Sequence, residues 1–138
     1  MLINIDKILK LSESRIKDLE KHNENWYEWN KTYISWLKDE LEEVITELKH
    51  NNSVYLEDEL WDIFWTYICL LNSLKEEWYI TSVEKVFNRC NKKFSERIEW
   101  VRWEKNYTWW LRWWIWAKVK AKQKEELLKE HIKFNTTK

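Results

Sequence analysis

Residues 33–48 read YISWLKDELEEVITEL, and residues 54–74 read VYLEDELWDIFWTYICLLNSL. Apolar side chains recur every three or four positions in both stretches, which is the spacing of the buried face of an α-helix. The polar residues Asn51, Asn52 and Ser53 separate the two patterns, and Ser53 is a suitable N-cap for the second helix. Because the connection is short, the sequence predicts that the two helices pack antiparallel.

The same spacing predicts helices elsewhere in the chain, so the predicted fold class is all-α. We expect an antiparallel helical bundle of about four core helices plus a C-terminal helix. A length of 138 residues fits a single domain, 1–138, with its core at about 26–100. The five predicted helices run over about 5–22, 30–50, 54–77, 81–100 and 117–131.

The composition limits the classes of partner. Lys and Arg together number 24, as do Asp and Glu, and this zero net charge predicts no stable nucleic-acid partner. No run of about 18 apolar residues is present, so no transmembrane segment is predicted. Cys69 and Cys90 are too few and too isolated for a disulfide framework or a zinc motif. Without a signal-peptide core at the N-terminus, the predicted location is cytoplasmic.

Four acidic residues carry the clearest chemical signal. Glu40 and Glu43 are three positions apart on one predicted helix, and Glu59 and Asp62 are three apart on the next. Each pair therefore lies on one helix face, beside the apolar stripe, and antiparallel packing can bring the pairs together. Converging carboxylates need a cation, and hard oxygen ligands select Mg²⁺ or, as a substitute, Mn²⁺. Such a site would be completed by a phosphate-containing substrate.

Two other interpretations of the acidic residues stay open at this point. With 35% charged residues, the same spacing is also common on solvated helix faces. A di-iron carboxylate bundle would require a Glu-x-x-His motif on each of two helices. Only Glu47 and His50 supply one, so the sequence disfavours the di-iron interpretation, and His50 suits a helix C-terminus.

The acidic motifs resemble those of the MazG-type, all-α nucleoside triphosphate pyrophosphohydrolases. Residues 39–43, DELEE, resemble the family's Glu-Glu-x-x-Glu, and residues 58–63, DELWDI, resemble its Glu-x-x-Asp. Asp39 stands where the family has its leading Glu, and Trp61 stands where it usually has Gly. The resemblance continues through 63–71 and through 91–97, NKKFSER, and is weaker over 118–129.

This resemblance implies a reaction and a set of roles. A nucleoside triphosphate would be split between its α and β phosphates, giving the monophosphate and pyrophosphate. Mg²⁺ would be held by Glu40, Glu43, Glu59 and Asp62, and either Glu43 or Asp39 would act as the catalytic proton acceptor. The family also implies a homodimer or a homotetramer.

Basic and aromatic residues complete the predicted site. The resemblance implies that Lys93 and Arg97 hold phosphate oxygens, although surface ion pairs would explain them as well. Lys31 is a further candidate for phosphate binding. Trp29, Tyr33 and Trp36 precede the metal motif and could stack on the nucleobase, although aromatic residues at helical spacing are more typical of a core.

The chain has no Gly and 13 Trp. Trp61 stands at a family glycine, and Trp78, Trp100 and Trp103 fall at predicted helix ends or loops, where Gly is usual. We therefore hypothesise that several Trp occupy positions of glycine in the native protein, as would follow from translation of a reassigned codon under the wrong code. Trp65, in contrast, suits a helix interior.

An alternative function applies if the tryptophans are all present in the native protein. Residues 100–116 combine seven Trp with Arg and Lys, a composition typical of membrane-interface segments and of platforms for single-stranded nucleic acid. The alternative is therefore a non-enzymatic helical binding module. Removal of the Trp-rich segment would abolish binding by such a module, whereas an enzyme would depend on Glu40 and Glu59.

Overall fold

The computed structural model describes residues 5–103 and 108–137, with the backbone alone described at 100–103. Over these ranges the chain forms five helices and no strand, which confirms the all-α prediction. The last helix begins well before residue 117, so that predicted start is wrong; the preceding residues contain no Gly or Pro to interrupt it. The helices are α1 (Ile5–His22), α2 (Asn30–Glu47), α3 (Ser53–Glu76), α4 (Val83–Trp103) and α5 (Trp109–Thr136).

The chain divides into two compact units, Met1–Val83 and Glu84–Lys138. The single domain 1–138 stays a prediction. In the first unit α3 packs against both α1 and α2. Ile16, Tyr33 and Cys69, one from each helix, form the centre of the buried core of this unit.

Polar contacts fix α1 against α3. The Asn72 side chain donates a hydrogen bond of 2.6 Å to the Ser12 hydroxyl, and both residues are buried. Nearby, the Lys75 ammonium lies 3.1 Å from a carboxylate oxygen of Glu13. A buried hydrogen bond of this kind specifies one register of the two helices, because a shifted register would leave the amide without its partner.

The pair α2 and α3 is antiparallel and is joined at both ends. At one end, the backbone N–H of Asn30 donates to the Glu77 carboxylate at 3.1 Å, and the Asn30 side-chain amide donates to both Glu77 oxygens. At the other end, the Asn52 side chain donates to the backbone oxygen of Glu47 at 2.9 Å. The acidic motifs lie along this helix pair, nearer to the end at Asn52.

In the second unit α4 and α5 run antiparallel and are connected by polar side chains. Lys92 pairs with Glu126 at 3.1 Å, and the Arg97 Nε–H donates to the Gln123 side-chain oxygen at 2.8 Å. Among the described residues, no helix has the length and apolar character that crossing a membrane requires.

Candidate metal centre

Three of the four predicted carboxylate ligands meet between α2 and α3. One carboxylate oxygen from each of Glu40, Glu43 and Glu59 can be chosen so that all three oxygens lie within 4.8 Å of one another. The spacing of three places Glu40 and Glu43 on one face of α2, and the antiparallel pairing brings Glu59 of α3 opposite them. We refer to these three residues as the acidic trio.

Glu59 is the member of the trio with a solvent-shielded oxygen that has no hydrogen-bond donor within the described part of the chain. Its Oε2 atom is inaccessible to solvent, and no hydrogen-bond donor of the described chain reaches it. Burial raises the pKa of the Glu59 carboxyl above its usual value, and the neighbouring carboxylates of Glu43 and Asp62 raise it further. A buried carboxylate oxygen without a donor calls for a proton or a cation.

Glu40 experiences the same kind of environment. Burial raises the pKa of the Glu40 carboxyl, and the charges of Asp62, Glu43 and Asp39 add to the rise. Asp62 is exposed and stands outside the trio, but its charge acts on both Glu40 and Glu59. The fourth predicted ligand therefore lies close enough to Glu40 and Glu59 for its charge to act on both.

The donor set fits a divalent cation. All candidate ligand atoms are carboxylate oxygens, the ligands that Mg²⁺ and Mn²⁺ prefer, and thiol or imidazole ligands are absent from the trio. A cation bound there would neutralise the mutual repulsion and satisfy the Glu59 oxygen that has no donor. The shielded Glu59 oxygen distinguishes this cluster from carboxylates on an ordinary solvated helix face.

Trp61 lies beside this centre on α3, between Glu59 and Asp62. Its indole is 46% exposed and packs edge-on against Phe64, with the ring centroids 5.7 Å apart. Lys31 and Asp39 are both exposed on α2, in its first turn and next to Glu40, respectively. Their predicted roles in phosphate binding and proton transfer stay predictions.

The aromatic residues before the acidic motif differ in exposure. Tyr33 is only 2% exposed and belongs to the core, whereas Trp29 is half-buried at the start of α2. The third predicted aromatic residue, Trp36, stacks on Trp26, which the sequence did not single out; both are exposed, and their ring centroids lie 5.5 Å apart. Base stacking by Trp29 and Tyr33 stays a prediction, and helical spacing alone could not have singled out Trp26, which precedes the helix.

The two predicted phosphate ligands of the second unit have different surroundings. Arg97 is 7% exposed, and its guanidinium lies over the Trp116 ring at 5.2 Å. Lys93 is exposed and lies over the Phe94 ring at 5.3 Å. Both line a groove of about 750 Å³ between α4 and α5. The buried Gln123 that binds Arg97 was not predicted, since nothing in the spacing of α5 marks it.

Carboxylates gathered between two antiparallel helices define a helical protein with a candidate divalent-cation site. The family model described as the MazG nucleotide pyrophosphohydrolase domain matches residues 28–102, more than half of the chain and the whole of its acidic site. The chain therefore belongs to the MazG family. Neither a curated protein nor a solved structure matches it.

Family membership assigns the general activity. The MazG family consists of nucleotide pyrophosphohydrolases, which act on nucleotides and depend in general on divalent metals. The Trp-rich alternative, 100–116, falls in part outside the described residues, at 104–107, and nothing is described of the side chains at 100–103. Trp109 and Trp113, within the described part, are exposed on α5. The family match favours hydrolysis over the non-enzymatic binding module.

Proposed function

We propose that this chain hydrolyses a nucleoside triphosphate to its monophosphate and pyrophosphate, and that it does so with Mg²⁺. The observation that carries the proposal is the acidic trio, in which a buried Glu59 oxygen lacks a donor within a cluster of carboxylates. We propose Glu40, Glu43, Glu59 and Asp62 as the Mg²⁺ ligands, with Mn²⁺ as a substitute.

The bound cation would supply positive charge to the phosphate oxygens, which is the main requirement of phosphoryl transfer. The chain's own residues would do the remaining work. Glu43, the exposed member of the trio, or Asp39 would accept a proton from the attacking water. Lys93, Arg97 and Lys31 would hold phosphate oxygens.

The nucleobase, in this proposal, stacks on aromatic residues at the start of α2. With Trp at position 29, that half-buried ring is the proposed stacking residue, and the exposed Trp26 and Trp36 extend the aromatic surface beside it, whereas Tyr33 lies in the core behind them. We also propose that the protein is a homodimer or homotetramer and is cytoplasmic. The oligomer is supported by the many large apolar side chains that remain exposed.

Product analysis tests the reaction. The purified chain would be incubated with a panel of canonical and modified NTPs and dNTPs plus Mg²⁺, beside E59Q and E57Q. Glu57 is exposed on the same helix and makes a matched control. We expect pyrophosphate and monophosphate from the parent and from E57Q. E59Q should lose about 100-fold or more of the activity, because it removes a cation ligand.

A second variant distinguishes a chain that has no activity from a chain whose active site is obstructed by the Trp61 side chain. Trp61 places an indole next to Glu59 and Asp62, so W61G is assayed in parallel. Activity that is low in the parent and higher in W61G identifies obstruction by the indole. If neither the parent nor W61G releases pyrophosphate from any nucleotide, with either Mg²⁺ or Mn²⁺, the proposed function is contradicted.

A further inference from the structure

Four described residues have a backbone φ in the left-handed region. They are Asn23 (48°), Trp29 (55°), Asn51 (59°) and Trp78 (65°). Asn is the residue that tolerates this region best after Gly, because its short polar side chain can bond locally. Trp has a bulky side chain and no such compensation, so the two Trp are the unexpected members of the set.

Trp78 occupies the position that follows the C-cap of α3. The helix ends at Glu76 with Glu77 as its C-cap. The Trp78 N–H donates to the Lys75 carbonyl at 3.1 Å, and the Tyr79 N–H donates to the Leu74 carbonyl at 2.9 Å. This pair of bonds defines a Schellman motif, whose left-handed residue is usually Gly.

Trp29 occupies a different glycine position. Its φ of 55° and ψ of −131° match the first central residue of a type II′ turn. The Lys31 N–H donates to the Glu28 carbonyl at 3.2 Å, which closes a four-residue turn with Trp29 in that place. In a type II′ turn this place is dominated by Gly, because a Cβ atom crowds the backbone there.

The indole side chains gain little burial or packing that would offset these unfavourable backbone conformations. Trp78 is 92% exposed, so its ring gains almost no burial. Trp29 is half-buried, and its ring lies 5.3 Å from that of Tyr27. The hydrogen bonds that define the two turns are made by backbone atoms, so a residue with no side chain would make the same bonds.

We propose that positions 29 and 78 are glycine in the native protein. The chain of 138 residues has 13 Trp and no Gly. This composition is expected if the glycines of the native protein are encoded by a codon that a different genetic code translates as tryptophan. The backbone supplies the independent observation, because two of these Trp lie where two different turn types require Gly. Trp61 and Trp65 lie inside α3, where the backbone makes no such requirement.

Stability measurements test whether position 78 is a glycine position. The chain as printed is compared with W78G and with W78A, which removes the same exposed indole but keeps Cβ. We expect W78G to lower the unfolding equilibrium constant by about fivefold and W78A to leave it within about twofold of the parent. Equal effects of Gly and Ala, or destabilisation by Gly, would overturn the proposal at that position. W29G and W29A give the same comparison for the turn.

Peptide sequencing by mass spectrometry of protein from the source organism decides the residue directly. Trypsin releases His22–Lys31, which contains Trp29, and Glu76–Lys85, which contains Trp78. Fragment masses with a glycine at both positions confirm the proposal. Tryptophan at either position overturns it, whatever the stability measurements show.

Discussion

Glu59 combines charge with a solvent-shielded oxygen. One of its oxygens is shielded from solvent and has no donor among the described residues, and one of its oxygens lies within 4.8 Å of carboxylate oxygens of Glu40 and Glu43. Such a group lowers the stability of a fold that holds no cation, since a buried charge without a partner keeps its desolvation penalty. The same group strengthens the fold when a cation is bound, because ligand binding to the native state adds to its stability.

We therefore expect E59Q to have opposite effects with and without metal. In EDTA its thermal midpoint should lie above that of the parent, because the neutral amide relieves the repulsion. With Mg²⁺ at about 100 times its Kd, the parent should gain about 2.7 kcal/mol, and E59Q should gain almost none of it. Differential scanning fluorimetry measures both, with E57Q as the control. Equal Mg²⁺-dependent shifts in parent and E59Q would exclude Glu59 as a ligand.

The two cysteines differ in a way that labelling can measure. Cys69 is fully buried, and burial raises the pKa of its thiol to about 11, whereas Cys90 is exposed. At pH 8 we expect iodoacetamide to modify Cys90 at least ~100-fold faster than Cys69, because the thiolate is the reactive form. Intact-mass spectrometry should show one modification in the native chain and two after denaturation. In C90S, rapid native labelling would contradict the burial of Cys69.

At the scale of elements, the contact between α1 and α3 carries a pH-sensitive component. Glu13 accepts hydrogen bonds from Lys17 and Lys75, and these hold the pKa of the Glu13 carboxyl below its usual value. Since the pKa is lowered on folding, the carboxylate stabilises the protein above the unfolded pKa of about 4.5. That contribution is lost as the pH falls through the lower folded value.

The expected consequence is a change in the acid limb of the stability profile. E13Q should lose less stability than the parent as the pH falls below about 4.5, and at pH 7 it should be less stable by under ~1 kcal/mol, since the pair is partly exposed. Urea unfolding at several pH values measures this. E20Q, on the same helix at an exposed position, should follow the parent. A profile of E13Q parallel to that of the parent would remove this role for Glu13.

The helices differ in how well the sequence predicts them. The apolar stripes of α2 and α3 define those helices and, with the spacing of Glu40, Glu43 and Glu59, most of the acidic site. The start of α5 is missed, because an aromatic-rich segment hides its period. The roles of Glu77 and Gln123 depend on neighbours distant in sequence, so no local pattern could reveal them.

For the whole molecule, the balance of buried and exposed apolar surface is unusual. The buried apolar residues of the described chain are few, whereas many large apolar side chains are exposed, among them Ile45 and Leu48 on α2 and Leu60 on α3. A chain of this length ordinarily buries a larger core. Exposed apolar surface of this extent is typical of an interface.

We therefore expect the stability of the protein to depend on its concentration. If the predicted homodimer or homotetramer forms, the native state is linked to association, and the thermal midpoint rises with protein concentration. Thermal unfolding at two concentrations ~100-fold apart would show a higher midpoint at the higher one. Sedimentation velocity gives the mass in parallel. A midpoint independent of concentration, together with a monomer mass, would refute the oligomer.

The Glu77 carboxylate, which accepts hydrogen bonds from Asn30, has a consequence beyond local capping. It closes one end of the pair α2 and α3, and the acidic trio lies between that end and the turn near Asn52. A cation that draws α2 and α3 together at the trio also favours the closed end of the helix pair. Closure of that end favours cation binding by the same amount, because coupling free energies are reciprocal. The backbone amide of Asn30 should therefore exchange its hydrogen more slowly when a cation occupies the trio, although Asn30 itself binds no ion.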